Sequence, residues 1–263
     1  MTQSLPDKPA ADPWQALRRR TAARIGLGRV GASMPTAELL RFGLAHAQAR
    51  DAVHGALDAA ALAQDLAAQG FSTLEVHSMA PDRETYLLRP DLGRRLDQAS
   101  LRLLQAAPRA EVALVIADGL SAQAAQQHAP ALARLLRDAF GGWAWPVVIA
   151  RQGRVALGDD IGAALEARLA VVMLGERPGL SSPDSLGIYL TWSPRPGRMD
   201  SERNCISNVR PAGLNYAAAA RKLHFLMTQA ISRQTSGVML KDESDAAQRL
   251  AAPDASGQGQ GQA

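Results

Sequence analysis

Cysteine is nearly missing from this chain. Cys205 is the only one, which excludes an intrachain disulfide and an ordinary multi-thiolate zinc site and suits a reducing cytoplasm. Aromatic residues are also scarce, 4% against 47% hydrophobic residues overall. The core must therefore be built mainly from Ala, Leu, Val and Ile, which favours close helix packing. Lysine occurs only at positions 8, 222 and 241, so the formal net charge of +4 rests on arginine. Acids are absent from Trp14 to Thr36, where arginines stand at 18, 19, 20, 24 and 29. That stretch reads either as a solvated arm or as an arm that docks on a partner or a polyanion. No zinc-finger, RNP-like or basic-zipper pattern accompanies it and no aromatic platform interleaves it, so nucleic acid is not the expected partner. No apolar run approaches the roughly 18 residues of a membrane span, and the N-terminus carries no signal-peptide h-region. Neither a membrane nor secretion is expected.

With 263 residues the chain can bury a real core in one large domain or two modest ones. Residues 1–12 are polar and proline-bearing, a disordered leader within a basic flexible arm at 1–35. The end, 244–263, closes in "DASGQGQGQA" and reads as a disordered tail. Between them the period changes. Residues 36–108 read as a helical N-terminal domain. One helix starts at Pro35-Thr36, a second ends at Gly70, and a third begins after Pro90 with Asp91 as its cap. Residues 109–243 read as a Rossmann-like α/β domain with a mostly parallel sheet. Buried strands are expected in "EVALVIADGLS" (111–121), "PVVIAR" (146–151) and "LAVVMLGE" (169–176). An edge strand is expected in "GIYLTWSPR" (187–195), and helices at 122–140, 159–167 and 215–234.

In such a sheet, ligands sit outside the carboxyl ends of the strands. Glu176, Asp118-Gly119 and Arg151 all fall there. The literal G-x-G-x-x-G "GLGRVG" (26–31) has Asp51 twenty residues beyond Gly31. It follows the poor strand "RRRTAARI", and Pro35 puts the next helix start after it, so it reads as a flexible connector rather than a dinucleotide site. No Walker loop is present. His46, His54, His77, His128 and His224 are scattered, with no metal spacing. In "ERNCISN" (202–208), Arg203 beside Cys205 could favour a thiolate nucleophile; the bland reading is a small buried thiol in a tight loop. "RQGRVALGDDIG" (151–162) reads as a strand–turn–strand or a turn–helix passage, with Val155 an apolar wall and Asp159 or Asp160 a helix cap.

Taken together, "ARIGLGRVGASMPTAELLRFGLAHAQARDAVH", "YLLRPDLGRRL", "VVIARQGRVALGDDIG", "MLGERPGLSSPDSLGIYLTWSPR" and "RNCISNVRPAG" resemble the small subunit of ethanolamine ammonia-lyase. The separation of "GERPGL" from "CISN" is its most specific mark. The resemblance implies a hetero-oligomeric, adenosylcobalamin-dependent lyase that converts ethanolamine to acetaldehyde and ammonia. A TIM-barrel large subunit would hold the substrate and the radical chemistry, and this chain would cap the cobalamin at the subunit boundary through Val155, Glu176 and Cys205. It implies no catalytic acid, base or nucleophile here. The D-x-H-x-x-G pattern that offers a histidine to cobalt is absent, so no side chain of this chain is expected to ligate the metal. A protein-shelled bacterial microcompartment within the cytoplasm is one setting in which relatives occur. Two other readings stand beside this one: a non-enzymatic docking protein, and a cysteine hydrolase using Cys205.

Overall fold

The computed structural model describes residues 13–140 and 145–245. The leader at 1–12 and the tail from 246 onward lie outside the described residues. In chain order the elements are α1 (Gln15–Arg18), α2 (Thr36–His54), α3 (Ala59–Ala68), β1 (Thr73–His77), α4 (Arg83–Leu88), α5 (Gln98–Gln105), β2 (Val112–Ala117), α6 (Ala122–Ala139), β3 (Val147–Arg151), α7 (Leu157–Ala164), β4 (Leu169–Gly175), β5 (Leu186–Trp192), β6 (Arg203–Val209) and α8 (Tyr216–Arg233). The strands form one sheet in the order β1-β3-β2-β4-β5-β6. The pairings from β1 to β4 are parallel and those of β5 with β4 and β6 antiparallel. This is the mixed α/β architecture with a mostly parallel sheet that the apolar runs imply.

Every residue of β2 and β4 is buried, because alternate side chains feed two separate cores. Leu114, Ile116, Ile149, Val171 and Met173 pack with Leu62 of α3, Leu132 of α6 and Leu223 of α8. Val115, Val148 and Val172 pack on the other face with Leu104 of α5 and Leu157 and Ile161 of α7. The crossovers running toward β4 thus use one face and the crossover running back, through α6, uses the other, as a single handedness requires. The second layer ends at β4. Beyond it the face of β5 and β6 is left partly open, with Tyr189 half-buried and Cys205 exposed.

Four expectations are corrected. The stretch after Pro90 forms only a 3-10 turn at Leu92–Arg94. A Cβ at Gly93 would stand 2.9 Å from Arg154 and 3.0 Å from Tyr86, so this turn packs flat against its neighbours. The helix α5 starts later and is capped by Asp97, whose carboxylate accepts from Ser100 N at 2.6 Å. The strand β5 is not an edge: it lies between β4 and β6. Its alternation reflects one helix-covered face and one partly open face. Cys205 lies in no loop but on β6, which is the true edge. Asp159 and Asp160 are not caps: α7 begins at Leu157 and holds both in its first turn, buried. The sheet also takes in β1, from a stretch whose periodicity reads as helical; only Val76 of that strand is buried, so the apolar signal is weak. The "GLGRVG" stretch forms no strand or helix, with Gly26, Gly28 and Gly31 at φ of +56°, +78° and +61°.

Candidate functional site

Glu176 follows the carboxyl end of β4, and its N–H donates to Ser185 O at 2.9 Å. The carboxylate turns back over the sheet. Oε2 accepts from the Ser185 hydroxyl and from Asn208 N at 3.3 Å, and Oε1 accepts from the Ser207 hydroxyl. The last two donors come from a bulge. Register between β5 and β6 shifts between Leu186 and Ile188, and Asn208 sits at φ +57°. The irregularity re-aims the end of β6 toward Glu176, as bulges beside sites commonly do. Arg177 is exposed; hydroxyls and a backbone N–H, rather than its guanidinium, hold the acid.

Cys205 lies opposite Tyr189 in the β5–β6 register, and each side chain shifts the titration of the other. Although the residue is exposed, desolvation by the sheet around it pushes the thiol up. The Glu176 charge adds to this and the Tyr189 hydroxyl opposes it. The Tyr189 hydroxyl is itself pushed well above its ordinary range, first by burial and then by Cys205 and Glu176. Arg203 does not activate the thiol. Its guanidinium grips Asp159 with two bonds of 2.6 and 2.7 Å and also donates to Thr191 Oγ1 at 3.1 Å. This buried pair fastens β6 to the first turn of α7. Burial pushes the Asp159 carboxyl up, and Arg203 opposes that.

Val155 lies in the connection from β3 to α7, half-buried against the same apolar cluster that Tyr189 packs on. Asp118, at the carboxyl end of β2, braces this connection from below. It accepts from Gln152 N at 2.9 Å and Gly153 N at 3.0 Å, with Arg83 Nη1 3.8 Å away. Gln152 takes φ +52°. Asp118 is buried and faces the loop, not a ligand. Arg151 pairs with Glu75 at 2.6 Å, away from this face. A cavity of about 520 Å³ is bounded by Ala156, Asp160, Arg95 and Met199, and Val155 does not line it.

Glu176 and Cys205 are thus brought to one patch; Val155 packs on the apolar cluster that also carries Tyr189. Sequence reasoning missed Tyr189 and the donors Ser185, Ser207 and Asn208. The alternation in "GIYLTW" could have placed Tyr189 on the face opposite Ile188; nothing local marks the serines. Among the described residues no group of three or more His, Cys, Asp or Glu side chains could hold a metal ion, and no helix is long and apolar enough to cross a membrane. The patch offers a fixed anionic acceptor, a protonated thiol and apolar walls.

Residues 11–241 match the family model described as ethanolamine ammonia-lyase light chain (EutC). The ethanolamine ammonia-lyase small subunit of Ralstonia nicotianae is 54% identical over 256 residues, 93% of this chain and 95% of the relative. That of Pseudomonas paraeruginosa is 54% identical over 249 residues, 92% and 91% of the two chains. That of Xanthomonas campestris pv. campestris is 52% identical over 251 residues, 92% of each.

Proposed function

The chain belongs to the ethanolamine ammonia-lyase light-chain family, and from that premise we propose that it caps adenosylcobalamin at the boundary with a large subunit, the pair converting ethanolamine to acetaldehyde and ammonia. The observation that carries the reading is the hydrogen-bond inventory of Glu176. A carboxylate offers about four lone-pair sites, and three are taken by Ser185, Ser207 and Asn208. The acid is fixed by its own fold and keeps acceptor capacity for a donor from outside. A corrin carries amide N–H groups on its rim, and bonds to an ionised acceptor are the stronger kind. The face beside Glu176 fits the rest of such a ring. Val155 and Tyr189 offer partly exposed apolar surface, and Cys205 offers a small polarisable contact.

When bound, adenosylcobalamin supplies the radical-generating cobalt–carbon bond. This chain's residues hold and orient: Glu176 fixes an amide edge, while Val155, Tyr189 and Cys205 keep water from one side. We assign no general acid, base or nucleophile to the chain. The hydrolase reading is the weaker one, since the Cys205 thiol is pushed up and Arg203 is committed to Asp159. The lone cysteine suits a reducing cytoplasm.

The test is a spectral titration of adenosylcobalamin into the co-purified complex with the large subunit. Glu176→Ala should leave assembly intact and cost about 1.5–3 kcal/mol of cofactor binding, roughly a 10- to 150-fold rise in Kd. Unchanged affinity in an intact complex would remove Glu176 from the role. A wild-type complex that binds the cofactor yet releases no acetaldehyde would overturn the activity.

A further inference from the structure

The helix α2 is covered by almost nothing of its own chain. It runs 19 residues and buries only Ala45 and Ala52. Leu39, Leu40, Phe42 and Leu44 are 57%, 68%, 42% and 61% exposed. At about 100° per residue these four side chains spread over more than half the circumference, so no rotation of the helix could bury them all on the body. Helices of this length are marginal in water without a packed face, and the arc that carries these four side chains has none within this chain. The neighbouring arm repeats the pattern. Eight of the fourteen large apolar side chains exposed among the described residues fall between Trp14 and Leu44. Exposed apolar side chains concentrated in one segment in this way point to an interaction surface.

We propose that the arm and the exposed half of α2 are the docking surface for the large subunit, received by an apolar groove rimmed with carboxylates; this rests on the reading above. Two observations select that occupant. Between Trp14 and Thr36 there are five arginines and no acid, so two copies of this surface would repel, whereas an acidic rim would complement it. The surface is also continuous with the candidate site. Arg24 Nη2 donates to Leu180 O at 3.2 Å, in the loop that begins after Glu176 and ends at Ser185. A partner seated on the arm therefore lies beside the loop that follows Glu176.

The experiment compares wild type with the double substitution Leu40→Ser, Leu44→Ser, with circular dichroism of each and binding to the purified large subunit. Both side chains already face solvent, so the free chain should keep its fold while association weakens about tenfold or more. Glu176→Ala is the control, with normal assembly expected. Hydrogen exchange on the unaltered chain gives an independent readout: amides of 36–46 should gain protection when the large subunit is added. Undiminished binding by the double variant, or no gain in protection at 36–46, overturns the docking surface and leaves the proposed function standing. A wild-type chain that never associates with the large subunit overturns both. A chain that dimerises through Leu40 and Leu44 while binding the large subunit normally identifies a second copy as the occupant and overturns the proposal.

Discussion

The position of one carboxylate depends on the absence of one methyl group. A Cβ at residue 187 would stand 2.9 Å from Glu176 Oε1 and 3.1 Å from its Cγ. The acid can lie across β5 toward Ser207 and Asn208 only because Gly187 leaves that space. Gly187 takes no positive φ, so alanine there introduces no backbone strain and its effect falls on the neighbour. Gly187→Ala should push the carboxylate off its donors and lower adenosylcobalamin affinity toward that of Glu176→Ala. Thermal unfolding should shift by little, because the lost contacts lie at the edge of the sheet and not in either core. Spectral titration beside a melting curve checks both halves. A variant with wild-type cofactor affinity would show that the carboxylate needs no room over β5. Cys205 argues in the same direction. Its thiol is held protonated by desolvation and by the adjacent Glu176 charge, the reverse of the electropositive setting that activates a nucleophile.

Among the elements, the connection from β4 to β5 is the one the site depends on, and it is pinned from α6 and from the connection between β6 and α8. His128 of α6 is buried; its Nε2 contacts Asp184 O at 2.9 Å and its Nδ1 the Tyr216 hydroxyl at 2.7 Å. A neutral imidazole protonated at Nε2 satisfies both partners, donating to the carbonyl and accepting from the hydroxyl. Arg210 donates to Asp184 Oδ1 at 3.2 Å and to Ser182 Oγ at 3.0 Å, and Ser121 donates to Pro183 O at 2.9 Å. Burial lowers the His128 pKa, the Asp184 contacts raise it and the Arg210 charge lowers it, with a net fall. As pH drops below the unfolded value of about 6.5, the unfolded chain takes up a proton that the folded chain resists. The contribution of His128 is thus whole above that value and lost as pH falls toward the folded pKa. Urea midpoints should decline as pH falls below about 6.5, and His128→Asn should flatten that decline; an equal decline in both chains would assign it to other groups. Which elements could be read from the sequence follows from their burial. The strands β2, β3 and β4 are central, and β2 and β4 are apolar throughout, so their residues announce them. The strand β6 buries three of its seven residues and carries a bulge, and "RNCISN" therefore resembles a loop. Glu176 could be located because strand ends receive ligands. Its partners Ser185 and Ser207 lie 9 and 31 residues away and meet it only through the β5–β6 register. Asp159 looks like a cap until Arg203, 44 residues on, is brought against it.

For the whole molecule, the proposed docking surface divides its work between charge and apolar area. The chain carries a net +4 and an arginine stretch without acids at its N-terminal end, where Arg19, Arg20 and Arg29 are exposed. Long-range attraction between this end and an acidic rim would act on the approach of the two subunits, raising the rate of encounter more than the lifetime of the complex. Once docked, Leu40 and Leu44 would hold the surfaces together by burial, which salt does not weaken. The Debye length contracts from about 30 Å at 0.01 M salt to about 3 Å at 1 M. Stopped-flow association with the large subunit should therefore slow steeply across that range while dissociation changes little. Replacing Arg19, Arg20 and Arg29 with Gln should flatten the salt dependence of the on-rate and leave the off-rate near wild type. The Leu40→Ser, Leu44→Ser chain should do the opposite, keeping the salt slope and dissociating faster. If the arginine variant retained the full slope, the steering charge would lie elsewhere on the molecule. If it dissociated as fast as the leucine variant, the arginines would be part of the grip, and the division between steering and burial would fail.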